Sequence, residues 1–129
     1  MKPSTRRLAS VWRDSAGSNA VEFALVAPAF ILLIVGSFYT AGLAFAASSL
    51  QFATEAAARC ASVQTTVCTD SSSIQAYGRT RFAASGAGTP NFAYSASGCG
   101  HVVTGTITYL FDSGLWKANV PLNSTACFP

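Results

Sequence analysis

Charge is scarce in this chain. Eight basic and five acidic residues stand among 129, which is 10%, against roughly 25% in an average soluble domain. The net charge of +3 is too thinly spread for a phosphate clamp, so nucleic acid is not an expected partner. Histidine occurs once, at His101, and no two of the four cysteines form a C-x-x-C pair. That shortage leaves little with which to build a zinc site or a histidine-dependent catalyst. Half of the residues are apolar, which excludes a disordered chain. At this length the apolar residues belong to one small domain and an appendage.

The few charges are unevenly placed. Lys2, Arg6, Arg7 and Arg13 crowd the first thirteen positions, with Asp14 beside them. After Glu22 the next charge is Glu55, so residues 23–54 are uncharged. The most apolar part, the 25 residues Phe23 to Ala47, would reach about 38 Å as a helix. That exceeds the hydrocarbon core of a bilayer, about 30 Å, and predicts a transmembrane helix. The basic flank places the amino terminus in the cytoplasm and the rest of the chain outside. Cys60, Cys68, Cys99 and Cys127 all follow the apolar run, as disulfides of an exported domain would. Four cysteines allow three pairings. Cys60 with Cys68 and Cys99 with Cys127 is the favoured one, tying the helix end to its loop and the sheet start to the carboxyl terminus.

Glu22 is the lone carboxylate at the lip of the apolar run. It has two readings: a residue held at the headgroup level, or a functional acid within the membrane. The surrounding pattern favours the second. A basic leader ends at Gly17, Glu22 is the fifth residue after it, Phe23 follows, and Pro28 stands six residues past the acid. This arrangement resembles the class III leader of type IV prepilins. The segment G-S-N-A-V-E-F-A-L-V-A-P, with A-T-E-A-A-A-R-C-A at residues 53–61, resembles more narrowly the TadE-like proteins of tight-adherence pili. The likeness covers about residues 16–61.

The resemblance implies several things. A prepilin peptidase would cut between Gly17 and Ser18, where glycine suits a narrow protease subsite. Ser18 would become the new amino terminus, in place of the Phe or Met that opens many pilins. Glu22 would pair with the terminal amine of a neighbouring subunit, with Phe23 beside it. The implied partners are the peptidase, other pilus subunits, an inner-membrane assembly platform and the lipid bilayer. The implied place is the inner membrane as a single-pass protein, or the base or tip of a pilus. The implied role is that of a minor pilin or pseudopilin.

A competing cut exists. Ala44-Phe45-Ala46 followed by Ala47 fits signal peptidase and would release a secreted, disulfide-stapled binding domain. The preceding apolar stretch, Phe23 to Ala46, is much longer than the usual 7 to 15 residues of a signal core. A third possibility is an uncleaved bitopic scaffold or adhesin.

The helix is expected over residues 20–63. Phe38, Phe45 and Phe52 recur every seven residues, with Gly42, Ser49, Ala56 and Val63 at helical positions between and beyond them. This stripe is expected to cover the exported tail, with a seam between subunits as the alternative. Gly42 and Ala46 also permit close helix contact. Pro28 is expected to bend the rod.

The tail, residues 64–129, reads as a short helix over 74–84 and strands over 91–96, 102–111 and 115–122. Residues 97–100 and 112–114 form turns. Tyr94, Tyr109, Phe111 and Trp116 are the expected core of the sheet. The fold class is α+β. The boundaries are a leader at 1–17, the helix at 18–63 and the exported domain at 64–129. The tail offers no nucleophile with a base, no carboxylate pair and no phosphate loop. No enzyme, metal or cofactor is expected, and His101 is given no role.

Overall fold

A computed structural model describes the backbone of residues 15–112 and 116–129, with side chains from residue 19 onward. The leader charges Lys2, Arg6, Arg7, Arg13 and Asp14 lie outside the described residues. So do Ser113 and Gly114 of the expected turn, and Leu115. The elements are α1 (Ser15–Val63), α2 (Ser71–Arg81), β1 (Asn91–Ser97), β2 (Gly100–Asp112) and β3 (Lys117–Phe128). This is the expected α+β class: a long apolar helix, a short helix, a three-stranded antiparallel sheet and two disulfides. The chain divides into two compact units between Phe38 and Tyr39.

In the first unit α1 presents its apolar side chains to the surroundings. Val21, Phe23, Leu25, Phe30, Leu32 and Leu33 are all exposed. The most apolar window of the helix has a mean hydropathy of 2.2 and is 0% buried. Residues 19–38 are 20 positions, or about 30 Å of helix, the thickness of a bilayer's hydrocarbon core. By length and composition this helix can cross a membrane. Pro28 lies within the helix without ending it, as membrane helices allow. α1 begins at Ser15, five residues before the expected start.

The second unit contains the rest of α1 and everything after it. The apolar run of residues 23–47 therefore straddles the division, and its last nine residues belong to this unit. Here α1 buries Ala46, Ser49, Leu50, Ala53, Thr54, Ala57 and Ala61, a face with helical spacing. β1 pairs with β2 and β2 with β3, so β2 is central. Phe92 lies opposite Gly105, and Ile107 opposite Leu122. Phe92, Val103, Gly105 and Ile107 turn towards the core. Phe92 also fills the space beside Gly78 of α2, where an added Cβ would sit 3.0 Å from its ring.

Local chemistry sets the element ends. Asp70 caps α2: its carboxylate accepts from the Ser73 backbone N–H at 2.7 Å, and the Ser73 side chain accepts from the Asp70 backbone N–H. This reciprocal cap starts α2 at Ser71, three residues before the expected start. Arg79 and Arg81 in the last turn suit the negative end of the helix dipole. Past the end of α2, the Ala83 backbone N–H donates to the Ser49 hydroxyl of α1 at 2.8 Å. Cys60 pairs with Cys68 and Cys99 with Cys127, the favoured pairing.

Three expectations are corrected. The stripe of Phe38, Phe45 and Phe52 does not cover the tail, for all three rings are exposed. Of the named stripe the small residues meet the tail: Gly42 lies against the Tyr109 hydroxyl, and the buried Ser49 accepts the Ala83 backbone N–H. The reason is distance: the sheet lies so close to α1 that small residues and Leu50 fill the contact, and a row of Phe rings would not fit. The expected aromatic core is also displaced. Phe92 is the fully buried ring, Tyr94, Tyr109 and Phe111 are half-buried, and Trp116 is exposed. Finally, β3 runs to Phe128, six residues past the expected end. Residues Asn123 to Phe128 continue the ladder with His101 to Thr106. Pro121 does not stop it, because an edge strand can lose one donor.

Candidate functional site

The first candidate site is the start of α1. Gly17 and Ser18 lie on its helical backbone, so the bond between them falls in the first turn. Four residues on, Glu22 stands exposed on the helix. Asn19, Glu22, Phe23 and Val26 share one face by their spacing of three, four and seven. Phe23 is 73% exposed, so an apolar ring flanks the carboxylate directly. Glu22 is the one ionisable side chain between Asp14 and Tyr39. A carboxylate on such a rod costs about 2.5 to 3.5 kcal/mol at bilayer depth, and a cation beside it offsets part of that cost. Past Glu22 the helix carries no further charge until Glu55.

The second candidate lies in the second unit. A groove of about 750 Å³ runs along the end of α1, between α2 and the end of β3. Phe52, Val63, Tyr77 and Phe128 give it apolar walls, while Glu55, Arg59 and Arg81 bring charge. The Arg81 guanidinium donates to the Tyr77 hydroxyl at 2.8 Å and lies 4.9 Å from the centre of its ring. Ser62 donates to the carbonyl of Pro129 at 2.6 Å, which pins the carboxyl terminus to α1. The groove is not legible in the sequence, because its walls come from three distant segments.

The remaining sequence candidates fall into place around these two. The Cys60 and Cys68 sulfurs are buried at the end of α1, whereas Cys99 and Cys127 are exposed on the sheet. All four are consumed in disulfides, which removes them as metal ligands. His101 Nδ1 is 2.7 Å from the Tyr94 hydroxyl across the β1–β2 pair, with the two rings stacked. At the other end of the unit Tyr39 packs on Phe111 with ring centres 4.3 Å apart, and its hydroxyl donates to the Asp112 carbonyl at 3.1 Å. By composition Tyr39 and Gly42 belong to the apolar run of residues 23–47. The structure gives them partners on β2 instead.

No curated protein and no solved structure matches the chain. One family model does, described as TadE-like protein, and its match covers residues 17–59. The matched segment opens on Gly17 and ends at Arg59, and lies wholly within α1. Over residues 17–59, a third of the chain, the sequence is similar to the TadE-like proteins.

Proposed function

We propose that this chain is a membrane-anchored minor pilin or pseudopilin that supports assembly of a tight-adherence pilus. The observation that carries the reading is the coincidence of two boundaries. The family match opens on Gly17, and the exposed apolar helix follows at once. In this reading a prepilin peptidase cuts between Gly17 and Ser18 on the cytoplasmic side. The basic leader sets the orientation before the cut. Residues 19–38 hold the chain in the inner membrane, and the second unit is exported. The cut removes Lys2, Arg6, Arg7, Arg13 and Asp14, which leaves four acids against four bases. The positive charge is thus a property of the leader, and the mature subunit is neutral and has no call on nucleic acid.

Glu22 supplies the assembly contact. Its carboxylate would hold the free amine of a neighbouring subunit at the membrane, with Phe23 closing the site to water. Other pilus subunits and the inner-membrane platform are the partners. The chain's part is structural, with no reaction of its own.

Packing in the second unit weighs against release at Ala46. Such a cut would strip off Tyr39, with its ring contact to Phe111, and Gly42, which seats Tyr109. It would also break the chain at Ala46 itself, which is fully buried.

The test is Glu22→Ala in cells that make the pilus. The leader is still removed, because the cut lies five residues away, while piliation falls sharply. Normal piliation by this variant contradicts the role given to Glu22.

A further inference from the structure

Within the second unit the β2–β3 hairpin runs along α1. Its tip is held at Tyr39, whose hydroxyl donates to the Asp112 carbonyl. Further along, Tyr109 meets Gly42 and Gly105 meets Thr54. At the far end Ser62 holds the carbonyl of Pro129. Residues 39–62 make about 35 Å of helix, so the tip and the carboxyl terminus are well separated.

The tip is apolar and largely open. Leu110 is 65% exposed and Trp116 66%. Trp116 rests on Phe111 with ring centres 5.6 Å apart, and Phe111 rests on Tyr39. Beside them Lys117 pairs with Asp112 at 2.8 Å, both side chains reaching solvent. Trp and Tyr rings with a polar edge, next to an aliphatic side chain and a lysine, are what the boundary between hydrocarbon and water favours.

Chain order says what faces this tip. Tyr39 directly follows the span of residues 19–38, on the same helix. A span of that length ends where the hydrocarbon ends, and the headgroup layer adds about 5 to 7 Å on each side. Tyr39 therefore stands in that layer, and it carries the hairpin tip with it. Other exposed apolar side chains, such as Val63 and Phe128, stand beside Ser62 and Pro129, at the end away from the bilayer.

We propose that the tip of the β2–β3 hairpin is a second membrane contact, made by the exported unit itself. Leu110 and Trp116 enter the headgroup layer of the leaflet from which the anchor emerges, with the Lys117 ammonium at the depth of the lipid phosphates. The partner is the lipid surface. The inference rests on the anchored reading above, because the anchor brings Tyr39 to the bilayer. It does not depend on the leader being cut or on a pilus being made.

The chain has two tryptophans, Trp12 and Trp116, so Trp12→Phe leaves Trp116 as the sole reporter. The full-length variant is reconstituted into phosphatidylcholine and phosphatidylglycerol vesicles with bromine on the upper acyl carbons. Flotation of the vesicles checks the anchor separately. We expect Trp116 emission to shift to the blue and most of it to be lost to the bromine. The control combines Trp12→Phe, Trp116→Phe and Ser97→Trp, which moves the reporter to an exposed position beside the end of β3. Its emission is expected to survive. A chain that stays off the vesicles would overturn the anchor and this inference with it. A floated chain whose Trp116 is quenched no more than the control would overturn this inference alone and leave the tip to a protein partner.

Discussion

Gly105 of β2 meets Thr54 of α1 so closely that no methyl group fits between them. A Cβ at position 105 would lie 2.5 Å from Thr54 Oγ1, 2.9 Å from the Phe92 ring and 3.1 Å from Leu50 Cδ1. Thr54 cannot turn away, for it is fully buried and its hydroxyl donates to the Leu50 carbonyl at 2.7 Å. This contact sets the distance between the helix and the sheet.

Gly105→Ala is therefore expected to destabilise the second unit by about 1 to 3 kcal/mol, the usual cost of overpacking a tight core. Gly98→Ala makes a matched control, since a Cβ there meets open space. Thermal unfolding of the detergent-solubilised chain checks both. Equal stability of the two variants would mean that the sheet can back away from α1 at no cost.

The two disulfides should contribute unequally. Cys99 and Cys127 are 28 residues apart in sequence, and Cys60 and Cys68 only 8. Loop closure makes the longer link worth about 1 kcal/mol more. Replacing each pair by Ser in separate variants, with denaturant unfolding of both, gives the comparison. The Cys99/Cys127 variant is expected to unfold first.

Asp70 gives α2 a pH dependence of known sign. The Ser73 backbone N–H, helped by the Ser72 and Ser73 hydroxyls, holds its carboxyl below the ordinary value of 3.8. Because the folded value is the lower one, the carboxylate's contribution is present above pH 4. It is lost as the pH falls through the folded value. Asp70→Asn keeps a capping oxygen and should remove that part of the acid sensitivity. The readout is the unfolding midpoint of both chains between pH 2 and pH 6.

Much of this architecture is legible in the sequence, and the parts that are not share a cause. The apolar run and the strand segments show in composition and period. The spacing of Phe38, Phe45 and Phe52 marks one face of α1, but spacing cannot say whether a face looks inward. Here the inward face is made of Ala46, Ala53 and Ala57, residues too small to stand out among the many alanines around them. Likewise Tyr39 and Gly42 read as membrane because lipid and a protein core ask for the same residues. In the sequence Phe92 is one aromatic among several; only folding brings Gly78 and Gly105 to either side of its ring. The groove beside Tyr77 and Phe128 is lined by residues of α1, α2 and β3, which lie far apart in the chain.

The proposed processing can be tested at the cut itself. Gly17→Leu puts a large side chain at that bond. The variant should keep its leader and still insert in the membrane, which intact mass and fractionation together would register. A leader removed as fast as in the parent chain would place the cut elsewhere.

The central claim is that the chain is a processed, membrane-held subunit, and its mature terminus tests this most directly. Mass spectrometry of the protein purified from membranes is predicted to find Ser18 as the first residue. A chain beginning at Ala47, or one still beginning at Met1, would contradict the account.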